Sequence, residues 1–104
     1  MSIDIAKTFS DMAKTAGQSL EQDGASISSG FSEVLKKNQA SIAELVQARV
    51  DGEINDEDFA TELAREKLIV EAEMISLEIA SKAAVQKAVN AAIDVLTQAV
   101  SAAI

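Results

Sequence analysis

Residues 56–104 read DEDFATELAREKLIVEAEMISLEIASKAAVQKAVNAAIDVLTQAVSAAI and contain neither glycine nor proline. These are the two residues that most strongly interrupt a helix: glycine because of its backbone entropy, and proline because it lacks an N–H group. We therefore predict one continuous helix from Asp56 to Ile104, about 73 Å long at the usual rise per residue. A helix several times longer than the globular average needs partners along its length.

The residues just before this helix predict a tight turn. Gly52 can adopt the left-handed conformation that commonly follows a helix, and Asn55 can cap the next one. The three acids from Asp56 to Asp58 would stabilise the positive end of the new helix. The sequence thus predicts a helix, a turn at Asp51–Asn55 and a second helix.

Upstream of the turn, apolar residues at helical spacing predict helices over residues 3–20 and 32–50. Ser2 is placed to cap the first of these. Residues 21–30 read EQDGASISSG and are interpreted as a linker or as weak helix, because glycine and serine both disfavour a helix interior. The predicted fold is all-α: one domain, 1–104, in which residues 32–104 form a long antiparallel helical hairpin that assembles into a larger bundle.

The apolar residues of the long helix fall on two faces rather than one, which indicates neighbours on two sides. Residues 3–50 can cover only one face, so the second face predicts another copy of the chain. The predicted interface residues are Leu63, Val70, Met74, Leu77, Ala84, Ala88, Ala91 and Val95 on one face and Leu68, Ala72, Ile75, Ile79, Val85, Val89, Ala92 and Leu96 on the other.

The composition offers little for catalysis. The chain has no cysteine and no histidine, which removes the thiolate nucleophile, the commonest general base and the commonest transition-metal ligands. The turn DGEINDEDFATE (51–62) has several oxygen ligands at the spacing of a calcium loop, but Asp56 stands where that loop requires glycine. We expect no enzyme activity, no catalytic residue, no metal and no cofactor.

The net charge of −8 is concentrated in the middle of the chain. Residues 51–78 contain ten acids against only Arg65 and Lys67. Nucleic-acid binding requires a basic surface, so this distribution argues against a nucleic-acid partner.

Three functional hypotheses follow, of which the first is a self-assembling structural protein. It would be a subunit of a homo-oligomeric bundle, ring or filament, such as a secretion-apparatus or phage-type component. The alternative is a membrane-active or pore-forming protein acting through the alanine-rich C-terminal helix, although Lys82, Lys87 and Asp94 would be costly inside a bilayer. The second alternative is a small acidic adaptor or chaperone that holds a partner helix. No signal peptide is visible, which indicates a cytoplasmic location or export without a cleavable signal.

The stretch LVQARVDGEINDEDFATELAREKL, residues 45–68, resembles the short helical hairpin modules called SHOCT domains, found near the C-termini of bacterial proteins. The resemblance rests on Leu45, Gly52, Ile54, Glu57 and Phe59. Those modules usually carry a basic residue at the position of Leu63. The resemblance implies a helical hairpin turn here and no particular function.

Overall fold

The computed structural model describes residues 3–104, and these form four α-helices. They are α1 (Ile5–Gln18), α2 (Gly24–Val50), α3 (Asp56–Ser76) and α4 (Lys82–Ala103), so the predicted all-helical fold is confirmed. Ser2, the predicted first cap, lies outside the described residues. The Asp4 side chain caps α1 instead, accepting a hydrogen bond of 3.0 Å from the backbone N–H of Lys7.

The first break in the chain is shorter and earlier than predicted. The helix predicted to begin at residue 32 already begins at Gly24, so most of 21–30 is helical. The corner before it is tight because α1 and α2 touch through glycine: a Cβ atom on Gly17 would lie 2.5 Å from the carbonyl oxygen of Gly24. Gly24, one of the glycines that predicted a weak helix, therefore serves a close helix contact.

The predicted single helix from Asp56 to Ile104 is wrong, because the chain turns back between α3 and α4. The turn contains neither glycine nor proline. Glu78 instead adopts the left-handed conformation, with φ of +55°. The Ser81 hydroxyl oxygen then caps α4 by accepting a 3.1 Å hydrogen bond from the backbone N–H of Ala84.

Burial of α4 explains why the chain breaks without a helix-breaking residue. Val85, Val89, Ala92 and Leu96 are fully buried once α4 folds back. Each large apolar side chain gains about 1.5–3 kcal/mol on burial, whereas a left-handed non-glycine residue costs about 1–2 kcal/mol. Tertiary packing therefore outweighs the local preference for a continuous helix.

The helices form an antiparallel up-and-down bundle rather than an extended hairpin. Each helix packs against the next along the chain, and α4 returns to pack against α1 and α2, which leaves α1 and α3 diagonally opposed. The antiparallel pairing of α2 with α3 is marked by an Asn38–Glu73 hydrogen bond and an Arg49–Asp56 ion pair. The molecule measures 39 × 21 × 19 Å, and its long dimension matches the about 40 Å expected for α2.

The core runs along the bundle axis and receives side chains from all four helices. Alanine at many α4 positions allows the neighbouring backbones to approach closely. The largest fully buried side chains are Met12, Ile27, Phe31, Ile42, Val46, Val70, Met74, Val85, Val89 and Leu96.

Candidate functional site

An apolar concavity lies between the first half of α3 and the last half of α4. A larger and more polar one, of about 660 Å³, lies between α1 and α2. We call the apolar concavity the α3–α4 groove; it encloses about 300 Å³. Its floor is made by Phe59 and Leu63 of α3 and by Ile93 and Val100 of α4, all of them buried. The walls and ends are formed by Asp56, Ala60, Ala64, Lys67, Thr97, Ser101 and Ile104.

A side-chain hydrogen bond joins α3 and α4 at the end away from the groove. Near their connecting turn, the Gln86 side-chain amide donates a 3.1 Å hydrogen bond to the Glu71 carboxylate. Away from that turn, Ala60 and Ala64 contribute only small side chains to the wall of the groove, above the buried Phe59 and Leu63. Consistent with this opening, α3 and α4 make fewer contacts than any other pair of consecutive helices.

The two ends of the groove carry opposite charges. Asp56 marks one end, beside the acidic turn, and Lys67 marks the other. Lys67 is half-buried and belongs to none of the ion pairs formed among residues 3–104. The groove is therefore an apolar channel with a carboxylate at one end and an ammonium group at the other.

The acidic turn beside the groove is well ordered by local hydrogen bonds. Gly52 has a φ of +78°, and the Asn55 side chain accepts a 2.8 Å hydrogen bond from the backbone N–H of Asp58. The largely buried Arg49 guanidinium bonds the Asp56 carboxylate at 2.7 Å. These contacts fix where the negative end of the groove lies.

Most of the sixteen interface residues expected from the sequence lie inside one chain's bundle. Two faces of α4 pack against helices of the same molecule, so they need no second copy to be covered. The buried members are Leu63, Val70, Met74, Val85, Ala88, Val89, Ala92 and Leu96, and the half-buried members are Ile75, Ile79, Ala84, Ala91 and Val95.

The other three expected interface residues are exposed. Leu68 is 66% exposed and Leu77 is 37% exposed, and Ala72 is also open to solvent. Leu68 follows Ala60 and Ala64 at four-residue spacing, so these side chains continue the groove wall along one side of α3. Of the expected interface set, only Leu63 lines the groove itself.

Sequence reasoning missed the other groove residues because it treated α3 and α4 as one helix. Ile93, Val100 and Ile104 meet Phe59 only when α4 folds back on α3. The signal that could have identified this surface is the pair Ala60 and Ala64, small residues placed where a neighbouring helix leaves space. Ile104 adds an apolar side chain that is 49% exposed.

Metal binding and membrane insertion are the two other classes of site that the sequence raised. Among residues 3–104, no cluster of carboxylates is arranged so that it could hold a metal ion. None of the helices described in this range combines the length and the apolar character needed to cross a bilayer.

Comparisons with known proteins assign no role to the α3–α4 groove. No family model, no curated protein and no solved structure matches the chain. The resemblance of residues 45–68 to SHOCT modules accordingly transfers no function, and the groove must be interpreted from its own geometry.

Proposed function

We propose that this protein is a small helix-binding adaptor, whose bundle holds an amphipathic helix of another protein in the α3–α4 groove. The observation that carries the proposal is the groove itself: a channel with a buried apolar floor that none of the four helices described over residues 3–104 covers. Laying the apolar face of a helix into a groove is a recurring mode of peptide recognition.

The dimensions of the groove suit a short helix. Lys67 follows Asp56 by eleven residues along α3, which corresponds to about 16 Å. Three turns of a partner helix span this distance and present apolar side chains at i, i+4 and i+7. Those side chains would rest on Phe59, Leu63 and Val100, while the alanines of α3 leave room for the partner backbone.

The charge distribution favours a different protein over a second copy of this chain. Residues 51–78 carry ten acids and two bases, and this segment contains the whole of α3. Two copies joined through their α3 faces would bring these acids within about one Debye length of each other, which is about 8 Å at physiological salt. A partner helix without excess acid avoids that repulsion.

Self-assembly is the second candidate, and a specific observation supports it. Leu68 and Ile69 are 66% and 45% exposed on α3, and Ile104 adds an exposed side chain at the end of α4. A homo-oligomer that covered these residues would remove apolar surface from water. It would be recognised by a solution mass above that of one chain.

The experiment uses a fluorescently labelled helical peptide of about 15 residues with leucines at i, i+4 and i+7 spacing. Ala64→Glu places a carboxylate on the groove wall and should weaken binding by about tenfold or more, because it opposes apolar burial there. Ala72→Glu is the matched control: it makes the same change at an exposed position two turns further along α3, and should leave affinity within about twofold.

Fluorescence anisotropy gives the affinities, and circular dichroism checks that both variants keep the helical content of the parent protein. Equal losses of affinity in the two variants, or no binding by the parent protein, would overturn the proposal.

A further inference from the structure

We infer that the bound helix is polarised in charge, with basic side chains at the end that lies over the acidic turn and acidic side chains at the end that lies near Lys67. This inference rests on the proposed function and names the chemistry of the partner. It follows from the excess of carboxylates beside one end of the groove and the unpaired ammonium group at the other end.

The negative end has more carboxylates than the chain neutralises. Asp51 and Glu53 lie in the turn, and Asp56, Glu57 and Asp58 follow in the first turn of α3; all five are exposed. Asp56 lines the groove, and the other four lie beside its end, at the turn. Arg49 is the basic residue at this end and is already bonded to Asp56. The α3 N-terminus favours these acids, but it leaves most of their outward negative potential available to a basic partner.

The positive end is a single available ammonium group. Lys67 is half-buried at the groove and forms no ion pair with any carboxylate of residues 3–104. Glu66 accepts a hydrogen bond from the Ser41 hydroxyl, and Glu71 accepts one from Gln86. A carboxylate brought by the partner would therefore meet an unpaired lysine beside an apolar surface, where an ion pair is screened less than in open water.

The separation of these ends sets the pattern of the partner. A partner helix that pairs with both ends of the groove must carry basic and acidic residues about three turns apart, with its apolar face between them. The full charges of the partner's side chains decide which of its ends lies over the acidic turn, because the dipole of a helix terminus is equivalent to only about half a unit charge. The expected partner is thus an amphipathic helix with a basic end and an acidic end.

The test compares two synthetic peptides that share one apolar face. The polarised peptide has lysines at one end and glutamates at the other, and the neutral peptide has glutamine at all of those positions. We expect the polarised peptide to bind about threefold or more tightly at low salt, and the difference to disappear at about 1 M salt, where the Debye length is about 3 Å.

Lys67→Glu separates the contribution of the positive end. This variant should weaken binding of the polarised peptide by about threefold or more and leave the neutral peptide unaffected within error. A third peptide, in which lysine replaces the glutamates, should recover the lost affinity for Lys67→Glu. Arg65→Glu is the control, because Arg65 is exposed, pairs with Glu62 and does not line the groove.

A spin label on the basic end of the polarised peptide reports its orientation. It should broaden the amide signals of Asp56 and Glu57 more than those of Lys67 and Ile93. Equal affinity of the polarised and neutral peptides, or the opposite broadening pattern, overturns the charge polarity and leaves the adaptor proposal standing. Absence of binding by every peptide overturns the adaptor proposal itself.

Discussion

At the scale of single residues, the two inter-helix turns flanking α3 are built in different ways. The first uses residues suited to a turn, since Gly52 takes the positive φ and Asn55 supplies the cap. The second places Glu78 in the left-handed region with φ of +55°, where a Cβ atom is unfavourable. A turn of the first kind can be read from sequence, whereas the second is visible only once α4 is packed.

Glu78→Gly tests the second turn directly. Glycine removes the unfavourable Cβ contact, so we expect the free energy of unfolding to rise by about 0.5–1 kcal/mol. If α3 and α4 formed one continuous helix, the same change would lower it by about 1 kcal/mol, because glycine disfavours a helix interior. The sign of the shift in a urea titration distinguishes the two, and Arg65→Gly, inside α3, should be destabilising in either case.

At the scale of helices, α4 explains both the success and the failure of the sequence-based prediction. Its apolar residues occupy two faces, which indicates two neighbours, and periodicity alone cannot say whether those neighbours belong to the same chain. The structure provides them within one molecule, as α1 and α3. The groove could not be predicted for the same reason: Phe59 and Val100 are far apart in sequence and meet only after the break at Glu78.

Ala92→Glu tests whether α4 is an internal helix. Ala92 is fully buried, so an unpaired carboxylate there should destabilise the folded chain by about 3 kcal/mol or more. Ala83→Glu, at an exposed position in the first turn of α4, should be close to neutral. Urea unfolding followed by circular dichroism measures both. If Ala92→Glu left the free energy of unfolding unchanged and only abolished assembly, Ala92 would lie at an interface between chains rather than inside one bundle.

At the scale of the whole molecule, the bundle covers its own core and leaves the α3–α4 groove open on an acidic surface. An uninterrupted helix would have needed a second copy of the chain to cover its second apolar face. In the closed bundle, helices of the same chain cover both faces of α4. The acids of residues 51–78 further oppose contact between copies through α3. We therefore expect a folded single chain whose groove is open to a different protein.

Sedimentation equilibrium of the intact chain at micromolar concentrations and physiological salt tests this central claim most directly. We predict one species with the mass of a single chain, 10.9 kDa, and no dependence of the mass on concentration across that range. A stable dimer or larger particle whose assembly is abolished by Ala64→Glu, but not by Ala72→Glu, would contradict the account, because the groove would then be filled by another copy of the chain.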